Sequence, residues 1–285
     1  MEKLKTSRQS NQILAIIRNE NLIAKRNGWL RSFDLAFIAV GIIVIAISLL
    51  SGSSNILDTY NSVTATLLNI CLYLVPLFSL CVGSITISEE KENGSMILLL
   101  SYPTSMPKVI LGKYIGLILA FFRAISISLG ISILMMIVVG LYGSIKAYEI
   151  FALSGLVLMS VYVSWGMLIG FLSENRMQAI GTSIAVWFVS IIIYEPLVAL
   201  LCLAVPANIV NPILIVSLLV NPADCVRVLG LISMGSESVL GANLKAFIDF
   251  SRSPGGLLAY LALFAAYILI PLVFAFRQRR RIQNA

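Results

Sequence analysis

Seven stretches of this chain contain no charged residue, and they constrain its fold more than any other feature. They span residues 35–57, 59–88, 124–145, 150–173, 177–194, 196–223 and 253–276. A helix needs about 20 apolar residues to cross the hydrocarbon core of a bilayer. Charged residues make up 12% of the chain, about half of the roughly 25% typical of soluble domains. The sequence therefore predicts an all-α membrane protein, with residues 1–285 forming a single transmembrane domain.

The sixth of these stretches differs from the others. Its longest clean piece, 213–220, has eight residues and is too short to cross a bilayer. Polar and helix-breaking residues interrupt the remainder, namely Pro206, Asn208, Asn211 and Pro212. We expect the chain to end its fifth span here and to form a re-entrant or external helical insert, residues 203–256, before the last span. The predicted fold is thus six transmembrane helices.

The positive charges support six spans and set the orientation. With six helices, fifteen of the 20 lysines and arginines fall on one side, including seven before Leu35 and four in the tail at 277–281. Because positively charged segments stay in the cytoplasm, both termini are predicted to be cytoplasmic (N-in, C-in). The net charge of +7 then reflects orientation and contact with anionic membrane lipids, and nucleic-acid binding is not expected.

The N-terminal segment, residues 1–32, mixes apolar and basic side chains. Residues 9–31 would place Ile13 and Ile16 on the apolar side, and Lys25 and Arg26 on the cationic side, of a helix lying on the cytoplasmic membrane surface. We predict such an amphipathic interfacial helix; an ordinary positively charged flank is the alternative. A cleavable signal peptide is not expected, because the first apolar run starts late and is too long.

Composition argues against several kinds of active site. The chain has no histidine, and its four cysteines form no CxxC pair, so no metal or histidine-based site is expected. Gly112-Lys113 is followed by tyrosine and lacks the upstream glycine of a nucleotide-binding loop. Met159 and Met167 are eight apart on one predicted span, but methionine is a common core residue. We predict no cofactor and no enzymatic activity, so any ATP-driven work would come from another polypeptide.

A short charged island separates the second and third predicted spans. Residues 88–95 read Ser-Glu-Glu-Lys-Glu-Asn-Gly-Ser, and the turn Tyr-Pro-Thr-Ser follows at 102–105. Charges between two apolar runs predict a water-exposed elbow, residues 89–113, that a soluble partner can grip. Gly94 permits a sharp backbone bend. The acidic residues are expected at the start of a cytoplasmic helix, where they favour its dipole.

This elbow resembles the signature E-x-E-x-G-T, L-L-x-x-P-x-S and G-K of type-2 ABC-transporter permeases. The matching residues before the final Gly-Lys pair are Glu90, Glu92, Gly94, Ser95, Pro103 and Ser105. Serine replaces the usual threonine at position 95, and Met106-Pro107 stands where the family commonly has a basic residue. The resemblance extends over nearly the whole chain, since it includes the six-span layout, the interfacial helix and the insert.

The resemblance implies a function and partners. In that family the elbow is a coupling helix that inserts into a groove of a cytoplasmic ATPase subunit, so the six matching residues would couple ATP hydrolysis to the membrane domain. It also implies two copies of the chain and two ATPase subunits, which hold the ATP. The location would be the cytoplasmic (inner) membrane of a bacterium or archaeon.

The insert carries a second, narrower resemblance. Asn221-Pro222-Ala223-Asp224 is a helix-start signal, and residues 221–229 are similar to one subgroup, the permeases of the nitrous-oxide-reductase maturation system. Those permeases work with an ATPase and a periplasmic accessory protein in assembling a copper–sulfur centre. The resemblance implies a sulfur-containing cargo, and contacts from Asn221, Asp224 and Arg227 to the accessory protein. The alternative is a generic type-2 exporter whose capped helix pairs Asp224 with Arg227.

Two charged residues fall inside predicted spans. Glu195 lies roughly 25 Å along the fifth span at 1.5 Å per residue, toward the outer side, and Arg123 lies roughly 15 Å beyond Lys113. Charges within a membrane usually face a protein interior or a wet cavity. We therefore take Glu195 and Arg123 as candidates for the translocation path or, for Glu195, the dimer seam. The alternatives are a carboxylate that reaches the outer interface and an arginine that snorkels inward. We expect the helix to bend where Glu195 precedes Pro196.

Two further classes of function remain open on sequence grounds. A membrane-embedded enzyme would need nucleophiles, acids or metal ligands that face one another, which isolated acids and the absence of histidine disfavour. A non-transporting membrane scaffold would leave an ATPase unstimulated. The sequence does not identify the cargo.

Overall fold

The computed structural model describes residues 56–96, 106–138, 145–233 and 245–277, with short pieces at 16–17, 31–32, 35–39, 42–43 and 46. Regular structure within these residues is helical, as predicted for an all-α protein. The predicted interfacial helix and the predicted first span fall largely outside the described residues. Pro103 and Ser105 of the elbow also lie outside them.

The described part of the chain forms a series of helical elements. They are α1 (Ile56–Glu92), α2 (Met106–Val138), α3 (Ile145–Leu172), α4 (Arg176–Trp187), a π-helical turn (Phe188–Ile193), α5 (Tyr194–Ala204), α6 (Ala207–Val220), α7 (Pro222–Ser233), α8 (Lys245–Arg252) and α9 (Pro254–Arg277).

Five helical stretches in this part of the chain are long and apolar enough to cross a membrane. They are Asn69–Glu92, Pro107–Met135, Ala152–Leu172, Arg176–Ala204 and Pro254–Arg277, and they correspond to the second through sixth predicted spans. Helices α6 and α7 meet the requirement only as a pair, which is bent by 105° between Val220 and Pro222. This bent pair occupies the predicted insert, together with α8.

Helices α1 and α3 pack against each other with their backbones in contact. A Cβ atom added to Gly166 would lie 2.5 Å from the carbonyl oxygen of Leu80, and one added to Gly170 would lie 2.5 Å from that of Ser84. On α1, a Cβ atom added to Gly83 would lie 2.9 Å from the carbonyl oxygen of Val163 on α3. Glycines spaced by four residues let two membrane helices approach this closely. We call this contact the α1–α3 seam.

Burial is uneven across the spans. In the most apolar windows, 67% of the residues of Asn69–Glu92 are buried but only 6% of those of Arg176–Ala204. The core around the seam includes Phe121 of α2 and both Met159 and Met167 of α3, which are fully buried. The two methionines thus pack in the core, whereas α4 and α5 present most of their apolar side chains outward.

Two details differ from the sequence-based expectation. The Gly, Ser and Asn residues of 51–61 favour an outer loop between the first two spans. That prediction is wrong for residues 56–61, which belong to α1, because a helix once formed is extended at little cost. The irregularity expected at Pro196 takes the form of the π-helical turn Phe188–Ile193, and the chain stays helical through Ala204.

Candidate functional site

The elbow begins with a sharp reversal at the end of α1. The amides of Asn93 and Gly94 donate to the carbonyl oxygens of Glu89 and Lys91 at 3.0 and 3.2 Å. Gly94 has a φ of +68°, the left-handed conformation in which a glycine commonly ends a helix. The bend predicted at Gly94 is confirmed. The Ser95 hydroxyl donates to the Glu90 carbonyl oxygen at 3.3 Å, so the hydroxyl of the signature fastens the turn.

The acidic residues lie at the end of a helix and not at its start, so that expectation was wrong. Glu89, Glu90 and Glu92 occupy the last turn of α1, where the negative end of the helix dipole disfavours carboxylates. Cations from two other elements compensate. Lys113 of α2 pairs with Glu90, and Arg176 of α4 pairs with Glu89 and Glu92. The arrangement depends on the position of α2 and α4, which a local helix signal does not reveal.

The pair between Glu90 and Lys113 is the buried part of this elbow. The side chain of Lys113 is 1% exposed and that of Glu90 is 17% exposed. Two charges withdrawn from water are tolerated only when they are well paired, and removal of one partner is costly. This pair therefore fixes the start of α2 against the end of α1.

The link to α4 lies nearer the surface and uses several bonds. Arg176 donates from its guanidinium to Glu89 and to Glu92, both at 3.1 Å, and its backbone amide approaches Glu92 at 3.3 Å. Lys91 donates to the carbonyl oxygens of Phe171 and Ser173 at 2.9 and 2.6 Å. We call the side chains of Glu89, Glu90, Lys91, Glu92, Lys113 and Arg176 the elbow cluster.

An open cavity of about 660 Å³ adjoins the elbow cluster. Glu89, Glu92 and Arg176 line its polar side, and Ile85 and Met177 line its apolar side. Ile16 lies at the same end of the bundle, because a Cβ on Gly112 would meet its side chain at 2.8 Å. Ile16, Gly112 and the elbow cluster therefore form one end of the molecule.

A second polar cluster lies toward the other end of the bundle. Arg227 of α7 bridges two carboxylates, Glu195 of α5 at 2.5 Å and Asp224 of its own helix at 3.1 Å. The Asn221 side chain donates to Asp224 at 3.1 Å. We call these four residues the hinge cluster. The sequence placed Glu195 in one candidate site and the other three in another, and the structure brings all four together. Asp224 and Arg227 also pair with each other, as their spacing of three residues on one helix allows.

Asn221 holds the break between α6 and α7. Its side-chain oxygen accepts from the amide of Ala223 at 3.0 Å, which confirms the helix-start signal. Its side-chain amide donates to the carbonyl oxygen of Ser190 at 2.7 Å. Ser190 belongs to the π-helical turn, where wider coiling alters the backbone hydrogen bonds. The amide of one broken helix thus binds the irregular turn of another.

Two tyrosines complete the polar contacts around this break. Tyr194 of α5 donates to the carbonyl oxygen of Ser217 at 2.8 Å, and Tyr267 of α9 donates to that of Leu219. The end of a helix exposes carbonyl groups that are costly to leave without partners in an apolar environment. Neither tyrosine was predicted from the sequence, because no local pattern links residues that lie 23 and 48 positions apart.

A small cavity of about 20 Å³ lies beside the hinge cluster, close to the volume that admits one water molecule. Asn69 and Tyr73 of α1 contribute to its lining together with the hinge cluster. They precede Glu89 by 20 and 16 residues, or about 24–30 Å along a helix. The hinge and elbow clusters are therefore separated by nearly the full height of a membrane.

The charged and polar residues predicted from the sequence differ in how deeply they are buried. Arg123 is partly buried on α2, between the levels of the two clusters. Asn221 and Asp224 are 5% and 6% exposed, so most of their polar atoms face inward, whereas Glu195 and Arg227 reach the surface. Among the described residues, no group of three or more histidine, cysteine, aspartate or glutamate side chains is arranged to hold a metal ion.

Comparison with known families identifies the class of protein to which this architecture belongs. The sequence profile of the family described as "ABC-2 family transporter protein" matches residues 34–281. The chain belongs to this family of ABC transporter permeases, as the elbow signature indicated. It is a multi-pass membrane subunit of permease type, a type that generally lacks an ATPase site of its own.

Two curated relatives cover most of the chain. It is 29% identical over 240 residues to the "Probable ABC transporter permease protein NosY" of Stutzerimonas stutzeri, an alignment that covers 81% of this chain and 86% of the relative. It is 25% identical over 272 residues to the protein of the same name from Pseudomonas aeruginosa, covering 94% and 98%.

Proposed function

We propose that the elbow is the surface on which a cytoplasmic ATPase subunit docks and moves this permease. The elbow cluster carries the proposal, because it ties the reversal at Gly94 to the starts of both α2 and α4. A push on the reversal would therefore act on three membrane helices at once. The family membership supports an ATPase partner, since ABC permeases work with one.

The orientation and assembly follow from the same proposal. The elbow would face the cytoplasm with both termini, in the inner membrane of a bacterium or archaeon, as the excess of positive charge on that side supports. Two copies of the chain would work with two ATPase subunits. The outward apolar surface of α4 and α5 supports contact with a second copy, with Glu195 beside the seam or the translocation path.

The proposed physiological role is the maturation of nitrous oxide reductase. The likeness to two proteins named NosY over most of their length supports it, together with the Asn-Pro-x-Asp-x-x-Arg stretch at 221–227. The cargo would be a sulfur-containing species for the copper–sulfur centre. A periplasmic accessory protein would meet the hinge end, where Arg227 is the exposed candidate contact.

A generic type-2 exporter is the second candidate. One observation favours it: Asn221 and Asp224 are buried and hydrogen-bonded within the molecule. Their role in capping the helix therefore requires no contact with an accessory protein. Deletion of the gene separates the two roles. Loss of the copper–sulfur centre in purified nitrous oxide reductase is expected for the maturation role, and an intact centre would favour the exporter.

Charge reversal at the elbow tests the docking surface. Glu92→Lys, at an exposed position of the elbow, is expected to leave the protein in the membrane but to abolish co-purification of the ATPase or ATP-driven transport. Asp249→Lys, an exposed acidic residue on α8, is the matched control. Unchanged co-purification and unchanged transport in the elbow variant would reject the proposal. An ATPase that binds without being stimulated would favour the scaffold.

A further inference from the structure

The four residues from Glu89 to Glu92 meet both ends of a helix break that is distant in sequence. The break is the turn at residues 173–175, between the end of α3 and the start of α4. Lys91 donates to two carbonyl oxygens at the α3 end, where the helix dipole is negative. Glu92 accepts from the backbone amide of Arg176 at the α4 start, where the dipole is positive. The charge of each side chain is therefore opposite in sign to the dipole at the helix end that it faces.

Arg176 makes this match specific. Glu89 and Glu92 are three residues apart and share one face of α1, and the guanidinium of Arg176 binds both. A planar guanidinium with several fixed donors can bridge two carboxylates, which a lysine ammonium does less well. The bridge joins two elements that are more than 80 residues apart, so local helix propensity does not account for it.

We propose that Arg176 is a positioning residue that makes the elbow and the 173–175 turn move as one rigid unit. The proposal rests on the proposed function only for the source of the movement, which is the ATPase. Its consequence is that force applied at the elbow reaches α4 and α5 directly as well as through α2. Glu195 lies in the first turn of α5 and belongs to the hinge cluster, so the same force would reach that cluster.

Distances between spin labels test the rigid unit itself. Nitroxides attached at Asn93→Cys and Glu174→Cys would report from two exposed positions, with the partly exposed Cys202 replaced by serine. We expect one narrow distance distribution, unchanged between nucleotide-free and ATP–vanadate-trapped complexes. Arg176→Gln should broaden it in both states. A distribution that stays narrow without Arg176, or one that changes between states in the parent, would overturn the proposal.

ATPase assays test the role in coupling. With the ATPase subunit co-reconstituted, the stimulation of ATP hydrolysis by the permease should fall about fivefold in Arg176→Gln, the size expected for losing two half-exposed ion pairs. Arg176→Lys should fall between the parent and Gln, because it keeps the charge but not the planar fork. Arg277→Ala is the matched control, an exposed arginine at the end of α9.

Two comparisons keep the outcomes distinct. Asn175→Ala removes the side chain that accepts from the Gln178 amide at 2.8 Å, so it should lower stability without changing the stimulation of ATP hydrolysis. An equal drop in that stimulation for Asn175→Ala would assign Arg176 a merely structural role. If no ATPase associates with the parent protein, the proposed function fails, while the nucleotide-free distances still decide whether Arg176 holds the unit together.

Discussion

The elbow cluster and the hinge cluster both centre on an arginine that bridges two carboxylates, yet they hold different kinds of structure together. Arg176 connects the ends of separate helices through half-exposed ion pairs. Arg227 lies beside a broken helix whose backbone groups are already satisfied by Asn221, Tyr194 and Tyr267. Loss of Arg176 should therefore release one element from another, whereas loss of Arg227 should leave the hinge in place.

The difference follows from access to water. Exposed ion pairs contribute little and respond to salt, because water and ions compete with them. Hydrogen bonds to backbone groups in an apolar environment are expensive to break, since no water replaces them. A region held by exposed ion pairs can therefore be displaced by a partner. A region held by hydrogen bonds to backbone groups in an apolar environment keeps one conformation.

The largest expected effect concerns the buried pair of the elbow. Lys113→Met leaves the Glu90 carboxylate without its buried cation, which should destabilise the protein by about 3–5 kcal/mol. Unfolding in mixed micelles would measure the change. The double variant Lys113→Met with Glu90→Leu should recover most of the stability, because an apolar pair replaces an ion pair at little cost. A double variant as unstable as the single one would show that packing, and not the unpaired charge, causes the loss.

The α1–α3 seam, which runs between the two clusters, should give the next largest effect. Gly166→Ala places a Cβ 2.5 Å from the carbonyl oxygen of Leu80, and overpacking against a backbone costs about 3 kcal/mol at the upper end of its usual range. Gly181→Ala is the control, since its added Cβ meets no described atom within 4 Å. Thermal unfolding in detergent compares them, and equal midpoints would contradict the close packing of α1 and α3.

The hinge should show a smaller but local loss. Asn221→Ala removes the helix cap and leaves the Ser190 carbonyl oxygen without that donor, so we expect about 2 kcal/mol of destabilisation. Amide hydrogen exchange at residues 221–225 should accelerate, while exchange at the elbow stays unchanged. Asn208→Ala, an exposed asparagine on α6, should change neither. Faster exchange at both ends would mean that the two clusters are not independent.

Salt should give the smallest effect and the sharpest contrast. Raising the ionic strength from about 0.1 M to about 1 M shortens the screening length from about 10 Å to about 3 Å. The bridges of Arg176 should weaken by less than about 1 kcal/mol. This weakening should broaden the distribution of distances between labels at residues 93 and 174. Hydrogen exchange at the hinge should not respond. A hinge as sensitive to salt as the elbow would remove the distinction between them.

Several elements could be predicted from the sequence because their signals are local. Charge-free runs located the long helices, Gly94 marked the reversal, and Asn221 with Pro222 marked the start of α7. The elbow was also recognisable as a candidate site, because charges within an apolar chain are costly unless they meet water or a partner.

Other features depended on residues far apart in the chain. The carboxylates of the elbow were placed on the wrong side of a helix boundary, because α1 continues through Glu92. Their partners Lys113 and Arg176 belong to different helices, and the same holds for Glu195 and Arg227. Spacing along one helix predicts contacts within that helix only.

The sequence alone determined that this chain is a helical membrane protein with a charged elbow, since apolar length and the cost of charge in lipid leave few alternatives. Only the tertiary structure decided which charges meet. The glycines of the α1–α3 seam set how closely two backbones approach, and that distance brings Lys91 and Glu92 to opposite ends of one helix break. The physical reason is that an ion pair depends on separation in space, which a linear sequence does not specify.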